Sequence, residues 1–136
     1  MKYGGLIIET KEYGKMIQLA GETQQKKDDA YQLSIAKLLG ELKEAKKLPV
    51  AKMPDDVVRF NSVVEIALPD GKLRTIQVVS SDKSDFALNR ISILAPMGMA
   101  LFGYAAGDEV QWHFPSGIKA IKILKVKQSI HEPKKR

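Results

Sequence analysis

The run Ser92-Ile93-Leu94-Ala95-Pro96-Met97-Gly98-Met99-Ala100-Leu101-Phe102-Gly103, with Gly107-Asp108-Glu109-Val110 close behind, leaves the backbone few choices. Pro96 has no N–H to donate and a fixed φ, so it suits the first position of a helix. Gly103 suits the left-handed residue that commonly ends one. The segment therefore predicts strand, one short helix, tight turn, strand.

The residues around it alternate as strands do. Val63-Val64-Glu65-Ile66-Ala67-Leu68 runs into the turn signal Pro69-Asp70-Gly71, and Leu73-Arg74-Thr75-Ile76-Gln77-Val78-Val79 returns from it. Ser80 to Asp85 reads as a loop. Val110, Trp112 and Phe114 alternate with Gln111 and His113, and after Pro115-Ser116-Gly117 the chain returns as Ile118 to Val126. These elements predict a twisted antiparallel sheet with one helix, Pro96 to Phe102, on one face.

The first third has a helical period instead. After Thr10, read as an N-cap, apolar residues fall at Tyr13, Met16, Ile17 and Ala20, although Gly14 and Gly21 weaken the pattern. From Asp29 the stripe resumes at Tyr31, Ile35, Leu38, Leu42 and Ala45, a heptad seam suited to lying along a partner helix. The polar stretch Glu22 to Asp28 between them predicts an antiparallel hairpin, a short coiled coil, with an exposed tip. Its second arm, about 18 residues to Lys46, would extend on the order of 27 Å. Pro49 and Pro54 cannot continue a helix and mark a hinge. The expected layout is an α+β chain: a helical hairpin over 1–48 with a short extended lead, a sheet domain over 54–128, and a basic tail over 129–136.

A length of 136 residues with 44% hydrophobic content supports one core plus an appendage. No apolar run approaches the roughly 20 residues that cross a bilayer, and the N-terminus is broken by Gly4-Gly5 and too short for a secretory core. A cytoplasmic monomer with no membrane contact is the expectation. The absence of cysteine excludes disulfides and thiolate metal sites. From Lys119 onward there are seven basic residues against one acid, Glu132, which accounts for the whole formal excess of +6. Such a cluster offers contact with nucleic acid or an acidic protein surface. The plainer alternative is a solvated last strand with a basic tail, since no aromatic residue alternates with those lysines.

Catalytic patterns are missing. His113 and His131 are the only histidines, no serine or threonine stands in a nucleophile elbow, and no glycine-rich loop has the flanking lysine of a phosphate site. No cofactor, no metal and no enzymatic activity are expected.

The order Ser92-x-x-Ala95-Pro96-x-Gly98-x-Ala100-Leu101-Phe102-Gly103, with Gly107-Asp108-x-Val110, resembles the C-terminal domain of the bacterial Gre transcript-cleavage factors. Met53-Pro54-Asp55-Asp56-Val57-Val58-Arg59-Phe60-Asn61-Ser62 is similar to the entry into that domain in the short Rnk type, the regulator of nucleoside diphosphate kinase. The resemblance spans roughly residues 53 to 127 and implies an FKBP-like fold for the sheet domain. It also implies that the partner is RNA polymerase, docked near its secondary channel through the loop before the short helix. The matching positions are Ala95 and Pro96, with Met97 and Met99 nearby, and Ala95 stands where Gre factors carry a serine. In Gre factors a long finger brings an acidic pair to the polymerase Mg²⁺. Here Asp28 and Asp29 are the only carboxylates in the segment from Thr23 to Lys37, and the Asp-x-x-Glu-Asn-x-Glu-Tyr type of motif is absent. Adjacent helical positions point about 100° apart, so the two would converge only on a non-helical tip. Asp29 with Gln32 also makes a capping box. The expected function is thus a non-enzymatic transcription regulator. The alternatives are a cleavage factor using the acidic tip, an FKBP-like prolyl isomerase, and a generic protein-binding adaptor.

Overall fold

A computed structural model describes residues 2–23, 29–114 and 117–128. In chain order they form β1 (Ile7–Glu9), α1 (Thr10–Thr23), α2 (Asp29–Glu44), β2 (Lys46–Leu48), β3 (Val63–Ala67), β4 (Leu73–Val79), β5 (Arg90–Ser92), α3 (Pro96–Leu101), β6 (Glu109–Phe114) and β7 (Gly117–Lys127). The described residues are α+β, with three α-helices, a two-stranded sheet of β1 and β2, and a five-stranded sheet in the order β5-β4-β3-β7-β6.

The β3–β4 hairpin forms where its turn signal stands. Gly71 takes φ +87°, Leu68 N–H donates to the Lys72 carbonyl at 2.8 Å, and the Asp70 carboxylate accepts from Lys72 N–H at 2.9 Å. The alternation also holds. Val64, Ile66, Ile76, Val78, Val110, Trp112, Ile121 and Ile123 are all buried on one face.

The sheet is mixed, however, and not wholly antiparallel: β5 pairs parallel with β4, Gln77 opposite Arg90 and Val79 opposite Ser92. A parallel neighbour needs a crossover rather than a tight turn. Residues 80–89 supply it through two single-turn 3₁₀ helices, Ser81–Lys83 and Phe86–Leu88, and Asn89 reverses the chain at φ +57°.

Two readings of the N-terminal third are also corrected. The residues ahead of Pro49 are not a bare hinge, because Lys46–Leu48 pairs in parallel with Ile7–Glu9, Ile7 opposite Lys46. Pro49 still ends the extended run, which passes into the 3₁₀ turn Val50–Lys52. The cap of α1 is Glu9 rather than Thr10. Its buried carboxylate accepts from Lys11 N–H and Glu12 N–H, each at 3.1 Å, and so satisfies two of the free donors at a helix start.

The heptad positions Ile35, Leu38 and Leu42 are buried, as are Met16 and Ala20 of α1. α2 touches α1, and it also lies against β6 and α3. Those five side chains belong to the same hydrophobic cluster as Trp112, Phe102 and Ile66. One core therefore runs continuously from the helices into the sheet. Arg59, with its Nε 3.1 Å and its second Nη 3.2 Å from the two Glu12 oxygens, clamps α1 to the segment before β3.

Candidate docking site around the short helix

The segment that enters α3 is shaped by four residues. Ser92 ends β5, and its hydroxyl accepts from Leu94 N–H at 3.0 Å and lies 2.7 Å from the Ser81 hydroxyl, which ties the crossover loop to the helix entry. Ala95 is extended (φ −73°, ψ 155°), the conformation a residue before proline prefers. Pro96 then occupies the first turn, as its missing N–H allows. Gly98 lets the helix come down on the chain it has just left: a Cβ there would stand 2.1 Å from the Ser92 carbonyl oxygen and 2.9 Å from Ile93 Cα.

The far end of α3 meets the other motif. Gly103, at φ +85°, donates its N–H to the Val58 carbonyl at 3.0 Å and accepts from Ile7 N–H at 3.1 Å. Val58 N–H in turn donates to the Tyr104 carbonyl at 2.8 Å, and Ala106 N–H to the Asp56 carbonyl at 2.9 Å. The two signatures read from sequence are thus bonded to each other. The aspartate of Gly107-Asp108 is structural: buried, it accepts from Ala105 N–H at 2.9 Å and from Lys2 N–H at 2.6 Å. Ser62 has the same character, accepting from Arg59 N–H at 2.7 Å and donating to Gln128 at 2.6 Å. Gln128 reaches on to the Val57 carbonyl at 2.7 Å.

Of the four residues expected to touch a partner, Ala95, Pro96 and Met97 are half-buried at the surface. Met99 is not available, because its side chain is fully buried in the core. A methionine on the sheet-facing side of a short helix fills space there. Asp28 lies outside the described residues, as do the tail over 129–136 and the turn residues 115 and 116. Asp29 opens α2, and its side chain is likewise outside them. Among the described residues there is no cluster of three or more His, Cys, Asp or Glu side chains arranged to hold a metal ion, and no described helix is long and apolar enough to cross a membrane.

Sequence reasoning missed a polar cluster beneath α2. Glu41 accepts from the Tyr104 hydroxyl at 2.7 Å and from Lys37 Nζ at 2.6 Å. Lys37 Nζ also stands 4.4 Å from the centroid of the Trp112 ring. Burial, helped by the neighbouring Glu41 carboxylate, pushes the Tyr104 hydroxyl well above its ordinary range. The period-four spacing of Lys37 and Glu41 was the only sequence signal, and it says nothing about Tyr104.

Residues 53–128 match the family described as transcription elongation factor GreA/GreB, C-terminal. The chain belongs to the GreA/GreB family. It is 38% identical over 82 residues to the regulator of nucleoside diphosphate kinase of Escherichia coli strain K12, a match covering 60% of each chain and so less than two thirds of that relative. It is 29% identical over 122 residues to the transcription elongation factor GreA of Bradyrhizobium diazoefficiens, covering 88% of this chain and 78% of that one. Among solved structures, the transcription elongation factor GreA/GreB from Nitrosomonas europaea superposes with a TM-score of 0.69 at 26% identity, covering 90% of this chain and 98% of the other. In this GreA/GreB member the candidate residues Ala95, Pro96 and Met97 are half-buried and Met99 is buried.

Proposed function

We propose that this GreA/GreB-family chain is a transcription regulator of the Rnk type, which binds RNA polymerase at the rim of its secondary channel and does not itself stimulate transcript cleavage. It acts as a cytoplasmic monomer, without cofactor or membrane contact. Ala95, Pro96 and Met97 form the contact, while α1 and α2 act as a short helical hairpin directed toward the channel and the FKBP-like half serves as anchor. The observation that carries this reading is the entry to α3: a half-exposed alanine and proline held in one conformation by Ser92 and by the close approach at Gly98. A rigid loop on a scaffold is suited to recognition because little conformational freedom is lost on binding. The missing acidic motif at the tip supports binding without cleavage, since Mg²⁺ needs carboxylates that meet at one point.

The test uses core polymerase and the intact chain. The wild type should bind and Pro96→Ser should bind at least about tenfold more weakly, as expected of an interface anchor. Backtracked elongation complexes should keep their RNA ends in its presence. Release of 3′ fragments that disappears with Asp28→Ala plus Asp29→Ala would instead establish the cleavage-factor alternative, and catalysis of proline-peptide isomerisation would establish the isomerase. Absence of polymerase binding would leave the adaptor.

A further inference from the structure

The helices cover one face of the five-stranded sheet, and among the described residues the outward side chains of β3 and of β7 from Lys122 on are half-buried or exposed on the opposite face. β7 runs through it with Lys122, Lys125 and Lys127 exposed. Plain alternation would place Leu124 and Val126 after Lys122. A bulge prevents this: Ile66 opposes Ile123 but Glu65 opposes Lys125, so Leu124 is the extra residue and the outward series resumes at Lys125. Val126 then turns toward the core. The bulge thus lines up three cations on one surface.

Their neighbours are mixed. Lys127 lies beside Val63, Lys125 beside Glu65, and Lys122 between Ala67 and Glu109. Beyond Ala67 comes Leu73, 60% exposed. Among the described residues none of the three lysines forms an ion pair, although two glutamates stand opposite them. Val63, Glu65, Thr75, Lys125 and Lys127 enclose a shallow groove.

We propose that this open face docks an acidic protein segment that carries apolar side chains among its carboxylates. Unpaired lysines offer the charge complement, and Val63 and Leu73 offer the apolar one. A nucleic acid fits less well. The described face has no aromatic side chain on which a base could stack, and Glu65 and Glu109 repel a uniform row of phosphates. A second copy of the chain brings the same positive excess and is repelled. The inference is independent of polymerase docking, because α3 and Pro96 lie on the covered side.

Isotope-labelled intact protein is titrated with a short synthetic peptide alternating glutamate and leucine, and separately with a short DNA duplex. The peptide should bind, moving amide resonances of β3, β4 and β7. Lys122→Glu with Lys125→Glu and Lys127→Glu should weaken it about tenfold, and added salt should do the same. Leu73→Ser should weaken it about threefold. Because three glutamates beside Glu65 and Glu109 strain the sheet, the matching triple change to Gln provides a milder variant, with loss in the same direction. The proposal is overturned if the peptide does not bind, if its affinity ignores the lysine changes, or if the duplex binds more tightly than the peptide and loses affinity with the same variants.

Discussion

A methyl group added at Gly98 would stand 2.1 Å from the Ser92 carbonyl oxygen, a distance that only backbone movement relieves. Gly98→Ala is therefore expected to cost about 3 kcal/mol, the upper end of ordinary overpacking, read as a lowered urea midpoint. Gly40, inside α2, has nothing within 4 Å of such a methyl. There Gly40→Ala should stabilise by about 0.5–1 kcal/mol, because alanine is the better helix former. Two identical chemical changes thus carry opposite signs. Gly103 was legible from sequence as a left-handed helix end, and Pro96 as a helix start, because both requirements are local. Glu9 as cap of α1 was not legible. Glutamate is an uncommon capping residue, and the neighbouring Thr10 carries the stronger signal.

The attachment of helices to the sheet depends on a few polar contacts between elements. Tyr104→Phe removes the hydroxyl that Glu41 accepts from, and should cost about 1–2 kcal/mol because the carboxylate remains largely buried. A double-mutant cycle with Glu41→Gln, followed by Trp112 fluorescence, should give a coupling of at least about 0.5 kcal/mol. The Glu12–Arg59 clamp titrates. Burial lifts the Glu12 carboxyl above its ordinary value, and Arg59 offsets this in part. A carboxyl raised on folding contributes stability fully below its unfolded value, and that contribution is lost as pH rises through the folded one. Measured against Glu12→Gln, the wild type should thus be relatively more stable near pH ~4 than near pH ~7 in paired urea titrations. The strands themselves were readable from alternation. The parallel placement of β5 was not, because a three-residue strand after a long loop has no pattern that fixes its direction.

Among the described residues the main hydrophobic cluster joins helices and sheet, which has a direct consequence for the family-matched half. Residues 53–128, expressed alone, should not fold as they do in the intact chain, since the side of β6 that buries Trp112 would lose the cover of α2. Red-shifted Trp112 emission and a non-cooperative unfolding curve are the expected results. A sharp transition with Trp112 still shielded would contradict them. In the intact chain Leu38→Ala should cost about 2–5 kcal/mol. Helix and sheet signals should be lost together, because both depend on the same cluster. By itself the sequence determined what short-range sterics and periodicity impose: two helices, a hairpin around Asp70-Gly71, a short helix between Pro96 and Gly103, and an alternating sheet. Tertiary structure alone decided that the seam of α2 faces β6 and α3 as well as α1, that Met99 is hidden while Pro96 is not, and that a bulge aligns three lysines on an open face. Backbone preferences belong to neighbouring residues, whereas these outcomes depend on partners far apart along the chain.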